Sequence, residues 1–183
     1  MIRAEVFRSI GALNTKLKFA QDMEIWLRTA AVSDVGRVNG PDQAFHRDHA
    51  ASMSATSGSG RLLDLTERST VFEVLFGGLG GQLANAPVLY DAARRALAAE
   101  ALTYAYAAYD RGRTGSVAVN NYIKFALKTF QNTRTLPQWR ALRRRQLAGP
   151  RLAPYVPPFL ASALWRKYQW RNSHRKWELT GLF

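Results

Sequence analysis

Two carboxylates, Asp22 and Glu24, open a stretch of helical spacing, where negative charge is favoured by the macrodipole and an aspartate can accept backbone amides. A second chemistry-bearing group is His46-Arg47-Asp48-His49. His46 and His49 have no carboxylate–histidine cluster to complete a metal site, so no metal ligand is assigned. Cysteine is absent, which excludes disulfide frameworks, thiolate zinc sites and cysteine nucleophiles. The third group lies at the C-terminal end. Trp139 is followed by Arg143, Arg144 and Arg145, and further on come Trp165, Arg166, Lys167, Tyr168, Trp170, Arg171, Arg175, Lys176 and Trp177. Tryptophans set among cations favour a headgroup region or a polyanion.

Charge sets this last group apart. The net charge is +13, but residues 1–58 hold 7 basic and 6 acidic side chains and residues 59–133 hold 8 and 6. Residues 134–183 hold 11 and 1, and carry four of the five tryptophans. The basicity is therefore a property of the C-terminal segment, and it implies an anionic partner. An interfacial helix on an anionic membrane is the preferred reading of Trp139, Arg143, Arg144, Arg145, Trp165, Arg166, Lys167, Trp170, Arg171 and Trp177. Single-stranded nucleic acid is the weaker one, since no nucleic-acid motif is recognisable. A solubilising tail is the bland alternative.

The positioning elements follow from spacing. Hydrophobic residues make up 47% of the chain, enough for a packed core. A short helix is expected over 1–9, ended by Gly11. Phe19, Met23, Trp26, Leu27 and Ala30 recur at helical spacing. Val35–Val38 and Gln43–His46 read as short extended runs about the Asn39-Gly40-Pro41-Asp42 turn. Residues 54–60, Ser-Ala-Thr-Ser-Gly-Ser-Gly, are a linker. Helices are then expected over 62–75, from Pro87 to about Asp110, and over 117–130. The second and third of these, joined by a turn between Gly112 and Gly115, make a helical hairpin. Prolines at 150, 154, 157 and 158 divide the tail into helices near 136–147 and 159–177. Tyr90, Tyr104, Tyr106, Tyr109 and Tyr122 are expected in the core or at the hairpin interface. No run of eighteen apolar residues occurs, so no transmembrane helix is expected. Charged Arg3, Glu5 and Arg8 with no apolar run after them argue against a secretory signal.

One segment resembles a known family. Arg3 to Asn14, then Leu17, then Ala20-Gln21-Asp22-Met23-Glu24-Ile25-Trp26-Leu27-Arg28 is similar to the late part of the catalytic domain of inverting glycosyltransferases of family 2. The spacing from Gly11 to Asp22 matches without a gap. His46-Arg47-Asp48-His49 with Ser52 and Ser54 resembles that family's closing arginine–histidine–serine block. The resemblance implies an α/β fragment of the GT-A type over 1–58. It implies Asp22 as the general base that deprotonates an acceptor hydroxyl, and Arg47 and His49 as contacts on the diphosphate side. Two departures stand out: Gln21 replaces the usual glutamate, and no Asp-x-Asp occurs in the sequence.

The resulting expectation is a mainly α chain in three parts. Residues 1–58 are the C-terminal fragment of a GT-A-like domain, 59–133 a helical region with a hairpin, and 134–183 a basic, tryptophan-rich tail. The function implied is transfer of a sugar from a nucleotide-sugar donor to a hydroxyl of a glycan or glycolipid, in envelope polysaccharide synthesis, with the donor-binding half missing or supplied elsewhere. No cofactor is expected in this chain, and a divalent metal, Mg or Mn, in the complete enzyme. The expected location is cytoplasmic, peripheral on the inner face of the cytoplasmic membrane. The alternative is a non-enzymatic, membrane-surface helical adaptor.

Overall fold

The computed structural model describes residues 2–36, 61–112, 114 and 117–180. Seven α-helices and three short 3-10 helices occur among them. The chain forms two compact units, Met1–Arg94 and Arg95–Phe183.

The first unit contains α1 (Ala4–Ile10), α2 (Gln21–Val32), α3 (Arg61–Gly77), a 3-10 turn (Leu79–Gln82) and the start of α4 (Ala86–Tyr109). Its helices form because apolar residues recur every three to four positions and must be buried on one face. Leu17, Ala20 and Val71 form one such cluster, with Met23 and Leu27 packed against it. Leu65 of α3 is fully buried, and Ile10, Ile25 and Leu75 are nearly so. After α3 the chain doubles back on its own last turn. A Cβ on Gly80 would meet Leu75 Cγ at 2.8 Å, and one on Gly81 would meet the Phe76 carbonyl oxygen at 2.5 Å. Only glycine allows so close an approach. Phe76 and Tyr90 close the fold-back, their ring centroids 5.1 Å apart.

The second unit contains the rest of α4, α5 (Val117–Thr129), a 3-10 turn (Thr133–Thr135), α6 (Pro137–Leu152), a 3-10 turn (Ala153–Tyr155) and α7 (Pro157–Thr180). Ala98, Ala101 and Ala105 make a small-residue face on α4, fully buried with Leu102. Gly112, at φ +63°, turns the chain toward α5, and the Tyr104 and Tyr122 rings meet at 5.6 Å between the two arms. Because each tyrosine sits five residues from the end of its helix at the turn, the arms run antiparallel. Thr133 is fully buried and donates its hydroxyl to the Ala126 carbonyl at 2.8 Å, which ties the turn after α5 to that helix. Pro137 occupies the first turn of α6, where its missing N–H costs nothing. Gly149, at φ +75°, breaks α6 just before Pro150. Leu142 is the fully buried anchor of this helix.

The expected α/β fragment at the N-terminus is not what forms. Residues 2–36 supply two helices that pack on each other, α2 also packs on α3, and no strand occurs among the described residues. The physical reason is visible in the burial. Leu17, Ala20, Met23 and Leu27 put their apolar surface against Val71 of α3. Val35, where an extended run was expected to start, is 76% exposed, so no apolar gain holds it in a ladder. The second extended run, 43–46, and the 54–60 linker lie outside the described residues.

Candidate functional site

Asp22 stands in the first turn of α2, exposed to solvent. Its Oδ1 accepts the Met23 N–H at 2.8 Å. Ala20 precedes the helix and has no side chain to cap it. The turn that leads into the helix is held from far away in sequence. Glu67 of α3 accepts three successive backbone N–H groups, those of Lys18 at 3.0 Å, Phe19 at 2.7 Å and Ala20 at 3.0 Å. Burial pushes the Glu67 carboxyl up, but these three bonds and the nearby Lys18 charge outweigh it and hold it below the usual carboxylate range.

A second clamp holds the other end of the loop. The Arg28 guanidinium donates to the carbonyls of Ile10 and, at 2.9 Å, Ala12. It also donates to Glu24 Oε2 at 2.8 Å, and Glu24 is 2% exposed. Thus the residues between α1 and α2 are tied at 10–12 by Arg28 and at 18–20 by Glu67. A buried carboxylate and a buried ion pair fix a surface turn that presents Asp22. Trp26, by contrast, is 62% exposed and takes no part. Arg47 and His49, the expected diphosphate contacts, lie outside the described residues.

The expected membrane-surface residues divide into two sets. Arg145 and Arg166 turn inward. Arg145 Nε donates to Asp110 Oδ1 at 2.6 Å and its Nη2 to Asp110 Oδ2 at 3.3 Å, with both side chains 4% exposed. Its guanidinium lies between the rings of Tyr106 and Phe159, 4.6 and 4.4 Å from their centroids. Arg166 also donates to Asp110 Oδ2, and Ser162 Oγ accepts from Arg145 at 2.6 Å and from Arg166 at 3.3 Å. This network joins the end of α4 to α6 and α7. Arg143, Arg144, Trp165, Lys167, Trp170 and Arg171 are exposed, and Trp139 is half-buried. Trp177 belongs to α7, and its side chain lies outside the described residues.

The charge partition coincides with the two units. Residues 1–94 hold ten basic and ten acidic side chains, and residues 95–183 hold sixteen and three. The whole net charge of +13 therefore belongs to the second unit. Between Asp110 and Glu178 the sequence has no acidic residue at all.

Among the described residues no group of three His, Asp or Glu side chains converges as a metal site. The sequence has no Asp-x-Asp, and the described residues offer no such group for the divalent metal that the resemblance implies. No described helix is long and apolar enough to cross a membrane.

Sequence reasoning missed Glu67 and Asp110. Glu67 sits between Leu65 and Val71 on α3, and its helical register is set by those apolar residues, which was the available signal. Asp110 is signalled by being the last carboxylate before a long basic stretch. No family model, curated protein or solved structure matches this chain.

Proposed function

We propose that the chain carries the acceptor-side portion of an inverting sugar-transfer enzyme, acting at the inner face of the cytoplasmic membrane, with Asp22 as general base. The observation that carries this reading is the doubly clamped turn. Glu67 and Arg28 fix the loop on either side, and its exposed product is the Asp22 carboxylate. The motif order from Gly11 through Trp26-Leu27-Arg28 supports it independently.

In this reaction the Asp22 carboxylate takes the proton from an acceptor hydroxyl. The freed oxygen attacks the anomeric carbon of a nucleotide sugar from the face opposite the leaving group. The new C–O bond forms as the bond to the diphosphate breaks, and the electron pair leaves with the nucleoside diphosphate. Configuration at the anomeric carbon inverts. This reading leaves the donor to residues other than those described.

A second reading is favoured by one observation. Asp22 faces solvent and bonds the Met23 N–H, which is what a helix-start aspartate without catalytic duty also does. The chain would then be a helical adaptor. Titration of the labelled chain with methyl glycosides of the common hexoses, followed by amide NMR, separates the two. The sugar-transfer reading expects shifts concentrated on residues 19–24. No shift there with any glycoside overturns it in favour of the adaptor.

A further inference from the structure

The second unit concentrates two properties on one helix. Phe159, Ser162 and Arg166 of α7 face the unit's interior, through the contacts with Arg145 and Asp110 described above. At 100° per residue, the opposite face carries Leu160, Leu164, Lys167, Tyr168, Arg171 and Arg175. All six are exposed, with Leu160 at 49% and Leu164 and Tyr168 at 59%. Trp165 flanks this face and stacks on Tyr168 at 5.6 Å. The end of α6 and the 3-10 turn after it add Leu147, Leu152 and Tyr155, each more exposed than Leu160, Leu164 and Tyr168 of α7. No acid lies in the sequence between Asp110 and Glu178, near the end of α7.

From this arrangement we infer that the outer face of α7, with the broken end of α6, docks on an anionic lipid bilayer. The inference deepens the membrane location given above and rests on that part of the reading, not on the role of Asp22. Charge complementarity demands an anionic partner, since the unit holds sixteen cations against three acids. The exposed leucines decide which one. Leucine offers no ring on which a base can stack, so it gains nothing on a nucleic acid. Against acyl chains each gains in proportion to the apolar area removed from water. Lys167, Arg171 and Arg175 then reach lipid phosphates from the same face, and Trp165 and Tyr168 suit the headgroup boundary. Asp110 makes the surface possible. By holding Arg145 and Arg166 it fixes which side of α7 turns outward.

The test is co-sedimentation of the full chain with vesicles of phosphatidylcholine alone and with about one third phosphatidylglycerol. Binding at least about tenfold tighter to the anionic vesicles is expected, with a blue shift of tryptophan emission. The pair L160Q/L164Q, neutral changes at exposed positions, should fold with unchanged circular dichroism and lose about tenfold or more of that binding. No binding by the wild type overturns the inference. Unchanged binding by the pair overturns it as well. Tighter association with a single-stranded oligouridine, insensitive to the leucine pair, replaces the bilayer with nucleic acid. Asp22→Asn should leave vesicle binding intact, so a failure here and a failure of the glycoside titration are separate results.

Discussion

Glu67 Oε2 accepts the Phe19 N–H at 2.7 Å across 48 residues of sequence. Through this bond and its two neighbours, α3 organises the turn that leads into α2. The relationship makes α3 part of the candidate site. Replacing the carboxylate strands three amides, one of them buried. Glu67→Ala is therefore expected to lower stability by about 2–4 kcal/mol, since buried unsatisfied donors cost about 1–3 kcal/mol each and these are partly open to water. Urea unfolding measures the loss. Hydrogen exchange should quicken at Lys18, Phe19 and Ala20 before it does elsewhere.

The same carboxyl gives a pH dependence. Its pKa in the folded chain lies below the ordinary value. A depressed folded pKa contributes stability that is present above the unfolded value, about 4.3, and lost as pH falls through the folded one. Stability measured from pH 6 downward should thus decline as pH drops below about 4.3, and Glu67→Gln should flatten that part of the curve. An identical slope in the variant would assign the acid sensitivity to other groups.

Much of the helical layout was legible from spacing. Met23 and Leu27 marked the buried side of α2, Pro87 and the glycines at 77–81 marked ends, and Pro150 marked the break in α6. What was illegible depended on partners distant in sequence. Nothing in the run Arg143-Arg144-Arg145 says by composition that the third is buried. Its place three residues after Leu142 does, because i and i+3 share a helix face. The α/β expectation failed for a related reason: a family resemblance over 3–54 says nothing of α3, and α3 supplies the surface that α2 buries against.

The Asp110 network yields a contrast among arginines. Asp110→Asn or Arg145→Ala breaks a buried, bidentate pair and should cost about 3–5 kcal/mol, because the partner charge is left without compensation. Arg166→Ala, at a more exposed position, should cost less. Arg143→Ala, exposed on the same helix, should change stability by no more than about 0.5 kcal/mol. Thermal or urea unfolding of the four variants checks the order.

The fold-back after α3 predicts intolerance of a single methyl group. In Gly80→Ala the new Cβ would lie 2.8 Å from Leu75 Cγ and 2.9 Å from the Leu75 carbonyl oxygen. Backbone must shift to admit it, at a cost of about 1–3 kcal/mol. Gly77→Ala, with open space around its Cβ, serves as the control and should be far milder.

The central claim is that the clamped turn presents Asp22 to a sugar hydroxyl. Its most direct measurement is the glycoside titration repeated on Glu67→Ala and Asp22→Ala beside the wild type. The account predicts wild-type shifts on residues 19–24, lost in Asp22→Ala, and weakened several-fold in Glu67→Ala although Asp22 itself is intact. Wild-type amides that stay still for every glycoside, or shifts that Asp22→Ala leaves unchanged, would contradict it.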